Sequence, residues 1–321
     1  MKLIIQIPCF NEEEALPLTL QSLPTEIKGI DKIEILIIDD GSQDKTVRVA
    51  EEFGVHHVVS IGANKGLANA YMKGVDACLR VGADIIVNTD ADNQYNADDI
   101  EKIIRPIIDH RAEFVIGVRP ISQITHFSYI KKKLQKIGSW VVRYVSQTDV
   151  KDAPSGFRAI SRETAIKLSV FGEYTYTLET IIQAGQSGIK ILSVPIRTNS
   201  DIRPSRLAKN MRSYVKKSIG TILKIFMIYR PLKSFSLISL IPFSLGIILG
   251  LRWVVLFYLE DGSRSHIPSL ILSSIFLIVG FQTLLFGFSA ELVATNRKLL
   301  EENRVRLRTL ELKGLNSADK N

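Results

Sequence analysis

Several features that mark common protein classes are scarce or missing in this sequence. It has only two cysteines, Cys9 and Cys78, and they lack CxxC spacing, which disfavours a disulfide framework and favours a reducing compartment. No histidine pair has zinc-site spacing. The turn after the first predicted strand, Pro8–Asn11, has no glycine-rich pattern, which argues against a nicotinamide-dependent oxidoreductase. Because the apolar run Met1–Ile7 is too short for a signal peptide, we expect the N-terminal part not to be exported.

Acidic residues are almost missing from one stretch of the chain, although the net charge of +8 is moderate. Between Arg197 and Lys233 the one acidic residue is Asp201. The basic residues between those ends are Arg203, Arg206, Lys209, Arg212, Lys216, Lys217, Lys224 and Arg230. Such a block suits nucleic acid or anionic lipid, but its position directly before an apolar run favours lipid, and we expect no nucleic-acid partner.

Two long apolar runs follow, Phe235–Leu259 and Ile267–Ser289, each long enough to cross a bilayer. The alternative is a pair of buried core helices, which a domain of this size has little protein to cover. Arg252 lies near the far end of the first run, so we expect it to snorkel to the interface. Basic residues flank the pair on the outside, which predicts that both termini are cytoplasmic. A charged helix is predicted over Glu291–Lys313.

The N-terminal two thirds alternate short Ile- and Val-rich runs with helical patterns, which predicts an α/β, mostly parallel, doubly wound sheet. The predicted strands are Leu3–Ile7, Ile33–Ile38, His57–Ile61, Asp84–Asn88 and Phe114–Gly117. The predicted helices are Glu13–Leu23, Lys45–Phe53, Gly66–Val81 and Asp98–His110. Ligands of such sheets bind beyond the carboxyl ends of the strands, so the site residues are expected there.

Polar groups follow the first three strands. Pro8 is expected to stop the first strand, before Asn11 and Glu12. Asp39 and Asp40 end the second strand as adjacent carboxylates, which indicates a bound partner, although a simple helix-capping turn remains an alternative. After the third strand, Gly62-Ala63-Asn64-Lys65-Gly66 combines glycine, lysine and a helix start, which suits an anionic ligand.

The fourth strand carries the clearest signal, Asp90-Ala91-Asp92-Asn93-Gln94. Two carboxylates two residues apart at a strand end can hold one divalent cation, and oxygen ligands suit Mg²⁺ or Mn²⁺. Such a cation can bridge a diphosphate. The four strand ends taken together therefore predict a site for a nucleoside diphosphate.

These blocks resemble the inverting family 2 glycosyltransferases of the GT-A fold, and more narrowly the dolichyl-phosphate mannose synthase and bactoprenol glucosyl transferase group. The resemblance implies the following donor and cation residues. The nucleotide-sugar would lie against Pro8, Asn11, Glu12, Asp39, Asp40, Lys65, Gly66 and Asp90, the cation on Asp90, Asp92 and Gln94, and the phosphates near Arg119.

The resemblance also implies an acceptor site. The segment Asp152–Arg158 is similar to a family segment beneath the acceptor, and Arg203–Leu207 is similar to a basic loop that grips lipid phosphate. Ser155, Arg158, Arg203 and Arg206 are the residues that would bind acceptor phosphate. Glu179 would contact sugar or order the acceptor, unless it is an ordinary helix-face glutamate. The QxxRW pattern of processive synthases is missing from the sequence, which disfavours a polymerase.

The sequence therefore predicts a membrane-bound enzyme in four parts. These are a GT-A domain over 1–210, a basic juxtamembrane segment over 211–233, two transmembrane helices over 234–290 and a cytoplasmic helix and tail over 291–321. It would transfer one hexose from a nucleotide-sugar to a polyprenyl phosphate, with UDP-glucose as the first candidate donor and GDP-mannose as the second. Homo-oligomerisation is compatible with the sequence. The alternative is a non-catalytic membrane protein that binds a nucleotide-sugar.

Overall fold

The computed structural model describes residues 1–120, 129–170, 176–199, 219–220, 223–259 and 267–318. These residues belong to two compact units, the first comprising 1–218 and 301–321 and the second 219–300. The predicted four-part boundaries are not tested by this division and stay a prediction.

A seven-stranded sheet forms the centre of the first unit, in the order β3-β2-β1-β4-β6-β5-β7. The strands are β1 Lys2–Cys9, β2 Lys32–Asp39, β3 His57–Ser60, β4 Ile85–Asn88, β5 Phe114–Val118, β6 Arg158–Ser161 and β7 Ile191–Pro195. β6 pairs antiparallel with β4 and β5, while the other pairs are parallel. The predicted mostly parallel α/β sheet is confirmed, with one reversed strand that the sequence pattern did not indicate.

Helices cover both faces of this sheet, which is why its inner strands are continuous apolar runs. They are α1 Leu16–Ser22, α2 Thr46–Glu52, α3 Leu67–Arg80, α4 Ile100–Ile108, α5 Tyr129–Ser146, α6 Arg162–Lys167 and α7 Tyr176–Gln186, with a 3₁₀ turn Ala97–Asp99 before α4. α3 packs on β1 and β2, and α4 packs on β4, β5, β6 and β7. α3 approaches β1 closely at Gly74, where an added Cβ would lie 2.5 Å from Gln6 Oε1.

Pro8 does not end β1, contrary to the expectation from sequence. It lies inside the strand and pairs with Ile38 of β2. On the other side of β1, pairing with β4 extends only from Leu3 to Gln6. Proline is tolerated because no β4 partner remains at that position to require its missing N–H.

The reversed strand has a consequence for the site. Arg158, the first residue of β6, pairs with Asn88, the last residue of β4. An antiparallel strand starts where its parallel neighbours end. The segment Asp152–Phe157, which leads into β6, therefore lies at the same sheet edge as the polar strand ends.

The second unit contains helix α8, Pro231–Leu259, and most of helix α9, Ile267–Ala318. Both helices are long and apolar enough to cross a bilayer, and only 6% and 17% of their most apolar windows are buried by protein. Such exposure disfavours the alternative of two buried core helices. Small residues bring the pair together, because a Cβ at Gly246 would lie 2.9 Å from Leu277. Arg252 donates to Ser269 Oγ at 3.0 Å.

The predicted charged helix Glu291–Lys313 is not a separate element but the continuation of α9. Its last turns belong to the first compact unit, where Arg308 is buried. The Arg308 guanidinium donates to Asp76 of α3 at 3.2 Å and to the carbonyl of Ala165 in α6 at 3.1 Å. An arginine on late carbonyls of a helix complements the helix dipole, so this contact stabilises α6.

Candidate active site

The loops that follow β1 and β2 are joined by reciprocal hydrogen bonds. The amide of Asn11 donates to Ser42 Oγ at 2.9 Å, and Asn11 Oδ1 accepts from the amide of Gln43 at 2.8 Å. The amide of Glu12 donates to Thr46 Oγ1 at 2.8 Å. Asn11 has a φ of 54°, a left-handed conformation that asparagine tolerates better than most residues. Asn11 and Glu12, which are predicted to bind the nucleoside, thus lie where hydrogen bonds join the loops after β1 and β2.

Asp39 and Asp40 are both buried, and their carboxylates bind backbone amides. Asp39 accepts from Ser42 at 2.9 Å. Asp40 accepts from the amides of Lys65 and Gly66, one to each oxygen, at 2.9 Å. Asp40 therefore anchors the loop between β3 and α3, and the described contact at Lys65 involves its backbone. A role of these residues in nucleoside binding stays a prediction.

Gly41 allows the β2 and β3 loops to meet. Its φ is +79°, and a Cβ would lie 2.8–2.9 Å from the backbone of Ala63 and Asn64. Any larger residue would separate the two loops. The β2 turn is therefore shaped by this close approach as well as by its carboxylates.

Asp90 and Asp92 follow β4 in a narrow space. A Cβ at Gly156 would lie 3.0 Å from both carboxylate oxygens of Asp90. Burial first, and then the negative charge of Asp92, hold the pKa of Asp90 well above its usual range, although Arg119 acts in the opposite direction. The negative charges of Asp90 and Asp92 therefore repel each other at the end of β4.

This donor set fits a divalent cation. Such an ion between Asp90 and Asp92 would offset their repulsion, and Gln94 adds an amide oxygen in the same loop. Among the described residues no group of three or more His, Cys, Asp or Glu side chains could hold a metal by itself. A site with two carboxylates needs further oxygen ligands, which a bound diphosphate can supply.

A buried polar network joins the last residue of β4 to the segment before β6, next to Asp90. Gln6 donates to Asn88 at 3.0 Å, and Asn88 donates to the Gly156 carbonyl at 2.9 Å and the Tyr176 hydroxyl at 3.0 Å. The Tyr95 hydroxyl accepts from the Gly156 amide at 3.0 Å. These residues are separated by up to 170 positions in sequence, and no local pattern signals their association.

Arg119, which the sequence placed near the phosphates, forms a buried ion pair with Asp152. Its Nε and Nη2 donate to the two Asp152 oxygens at 2.8 and 3.0 Å, and its amide donates at 3.2 Å. The exposed fraction of the side chain is 9% for Arg119 and 0% for Asp152. The guanidinium is therefore held in one orientation at the edge that carries Asp90.

Arg158, predicted to bind acceptor phosphate, is 1% exposed and surrounded by protein acceptors. Its three guanidinium nitrogens donate to the carbonyls of Ser155, Ala153 and Thr177 and to Thr180 Oγ1, at 2.7–2.9 Å. These contacts join the segment before β6 to the first turns of α7. They favour a structural role for Arg158 over the predicted contact with phosphate, which remains untested.

Of the other residues predicted at the acceptor site, the structure describes Ser155 and Glu179. Ser155 is fully buried, and its hydroxyl has no hydrogen-bond partner among the described residues. Glu179 lies in the first turn of α7 and is half-buried, so both of its predicted readings remain open. Arg203 and Arg206 lie outside the described residues.

Comparison with known proteins identifies the class. Residues 4–171 match Glycosyl transferase family 2, and the chain belongs to that family. It is similar in fold to glucosyl-3-phosphoglycerate synthase from Mycobacterium tuberculosis, a structure in complex with Mn²⁺, uridine-diphosphate and glucosyl-3-phosphoglycerate (TM-score 0.52, 18% identity, 70% of this chain and 78% of that chain). The GT-A fold expected from the sequence is thereby confirmed.

Two relatives found by sequence similarity have names that state their substrates. The UDP-N-acetylglucosamine–dolichyl-phosphate N-acetylglucosaminyltransferase of Methanococcus voltae is 31% identical over 217 residues, covering 60% of this chain and 83% of that protein. The undecaprenyl-phosphate mannosyltransferase of Micrococcus luteus is 30% identical over 207 residues, covering 61% and 83%. Both names contain a polyprenyl phosphate, and they differ in the sugar.

Proposed function

We propose that this protein transfers one hexose from a nucleotide-diphosphate sugar to a polyprenyl phosphate at the cytoplasmic face of a membrane. The observation that carries the proposal is the convergence of three features at one sheet edge. These are the Asp90 carboxylate, which lies close to Gly156 and faces the negative charge of Asp92, the fixed guanidinium of Arg119, and the segment before β6, where the Ser155 hydroxyl has no hydrogen-bond partner among the described residues. The sequence relatives named for polyprenyl phosphates support the acceptor class.

Each part has a chemical task in this proposal. A Mg²⁺ or Mn²⁺ ion on Asp90, Asp92 and Gln94 would supply positive charge to the departing diphosphate. Arg119 adds a guanidinium at the same edge, which its ion pair with Asp152 holds in one orientation. UDP-glucose is our first candidate donor and GDP-mannose the second. Selectivity between them rests on a few hydrogen bonds to the sugar.

The acceptor needs little activation, because a phosphate monoester is already anionic near neutral pH. Its oxygen attacks the anomeric carbon as the bond to the diphosphate breaks, and attack from the opposite face inverts the configuration. Cations must bring the two anions together, and Arg203 and Arg206 are the proposed carriers of that charge. Along the chain they come four and seven positions after Asn199. The Asn199 side chain donates to the carbonyl of Asn93 in the loop Asp90–Gln94, here called the cation loop.

The two apolar helices would hold this site at the bilayer surface. Basic residues before α8 and after the apolar part of α9 support a cytoplasmic position for both ends of the pair and for the catalytic unit. A lipid acceptor is thereby concentrated where the donor is available.

Lipid extraction after incubation with labelled donors tests the proposal. Membranes containing the full chain receive polyprenyl phosphate and UDP-glucose, GDP-mannose or UDP-N-acetylglucosamine in turn. We expect label in the organic phase with one donor, its loss in Asp92→Asn or excess EDTA, and its retention in Glu101→Gln, which changes an exposed carboxylate on α4. Binding of UDP without lipid-linked label from any donor would favour the non-catalytic alternative.

A further inference from the structure

The segment after β7 returns to the loop that carries the predicted cation ligands. The amide of Asn199 donates to the Gln94 carbonyl at 2.9 Å, and Asn199 Nδ2 donates to the Asn93 carbonyl at 2.9 Å. Next to these contacts, Tyr95 and Thr198 form an isolated antiparallel β-bridge. Asn199 was not among the residues that the sequence singled out, and it lies more than 100 positions from its partners.

Hydrogen bonds from two sides hold the cation loop in its shape. Asn93 has a φ of 54°, a left-handed conformation that asparagine tolerates better than most residues, and its carbonyl accepts from Asn199 Nδ2. The next amide, that of Gln94, donates to Asp92 Oδ1 at 3.2 Å. The peptide groups between Asp92 and Tyr95 are therefore held by Asp92 on one side and by Asn199 on the other.

The supporting segment is itself anchored by a buried carboxylate. Asp99 is fully buried, and it accepts from the amide of Arg197 at 2.6 Å and from its Nε and Nη2 at 3.1 and 2.9 Å. Lys102 Nζ lies 2.7 Å from the same Asp99 carboxylate. Two residues after such an anchor, Asn199 has little freedom to move away from the loop.

We propose that Asn199 is a positioning residue for the cation-binding loop, fixing Gln94 relative to Asp90 and Asp92. The inference rests on the cation site of the proposed function. Mg²⁺ and Mn²⁺ accept only a narrow range of ligand geometry, so loss of a group that orients a ligand weakens binding. Partners of this kind typically contribute 10- to 100-fold in metal affinity, and we expect about tenfold for Asn199, because its backbone contact survives truncation of the side chain.

Binding of Mn²⁺ to the full chain in detergent, with UDP or GDP present, measures this directly. Free Mn²⁺ is followed by electron paramagnetic resonance, which requires no turnover. Asn199→Ala should bind Mn²⁺ about tenfold more weakly than wild type. Asn303→Ala, which removes an exposed asparagine from α9 in the same compact unit, should bind like wild type.

A purely structural role is separated by a second measurement. Asn199 is half-buried, so the thermal midpoint of Asn199→Ala should stay close to wild type. If the midpoint falls, the affinities are compared well below the lower midpoint, where both proteins are folded. Equal Mn²⁺ affinity of folded wild type and Asn199→Ala overturns the proposal.

The outcome is distinguishable from failure of the proposed function. Wild type that binds Mn²⁺ but labels no lipid would refute sugar transfer, while the effect of Asn199→Ala on binding would still stand. Wild type that labels lipid in excess EDTA and binds no Mn²⁺ would overturn the positioning role and leave the transfer reaction intact.

Discussion

The ion pair between Arg119 and Asp152 permits a quantitative test of the site's construction. Asp152 is fully buried, and three donors of Arg119 converge on its carboxylate. Asp152→Asn keeps the shape but leaves the guanidinium charge without its counter-charge in a site with little water. Breaking a buried pair from one side typically costs about 3–5 kcal/mol.

The two cysteines provide an assay that reports on the catalytic unit alone. Cys9 in β1 is 2% exposed and Cys78 in α3 is 0% exposed, and the chain has no other cysteine. Burial raises the pKa of both thiols, which further suppresses their reactivity in the folded protein. A thiol-reactive fluorophore therefore reports unfolding of this unit during heating, while the apolar helices stay silent.

A loss of about 3 kcal/mol lowers the midpoint of a unit of this size by roughly 6–12 °C. We expect that shift for Asp152→Asn. The matched control is Asp109→Asn, which removes a pair with Arg111 whose side chains are 40% and 62% exposed. Exposed pairs contribute at most about 1 kcal/mol, so the control should shift by no more than roughly 4 °C.

A double-mutant cycle completes the test. The combined variant Arg119→Leu/Asp152→Leu should be less destabilised than the sum of its two single variants, because neither charge is then left alone. Additive shifts, or an Asp152→Asn midpoint equal to that of the Asp109→Asn control, would refute the reasoning.

Three further predictions follow from described contacts and from the proposal. Gly156→Ala should weaken Mn²⁺ binding, measured by paramagnetic resonance, because its Cβ would lie 3.0 Å from both Asp90 oxygens and would displace them; unchanged affinity would contradict this. Although burial opposes it, hydrogen bonds from Lys2, Lys32 and His57 hold the pKa of Glu34 at about 2. Glu34 therefore stabilises the fold above its unfolded pKa, and this contribution, on the order of 2 kcal/mol, is lost as pH falls from about 4.5 to about 2. Acid titration of Glu34→Gln in the thiol assay should show a smaller loss over that window than wild type. Arg206→Ala should raise the KM for polyprenyl phosphate about 10- to 100-fold in neutral detergent without changing donor binding; an unchanged KM there, with weaker binding to anionic vesicles, would make Arg206 a membrane anchor only.

The sequence alone determined the sheet class, five of the seven strands and the two apolar helices. Short Ile- and Val-rich runs predict buried strands because burial on two faces leaves no room for polar residues. Polar residues at the ends of successive parallel strands meet at one edge by topology, so Asp40 and Asp90 could be grouped before any contact was known. Length and composition alone define the two apolar helices.

Tertiary structure decided what each of these side chains contacts. The sequence predicts that Arg158 binds the acceptor phosphate. In the structure its side chain is buried, and its guanidinium donates to protein carbonyls. The reversed β6, the pairing of Arg119 with Asp152 and the support of Gln94 by Asn199 have no local pattern. Periodicity and propensity report a residue's neighbours within about a turn or a strand. These contacts join segments that are between 33 and 105 positions apart, and they form only when the whole sheet is assembled.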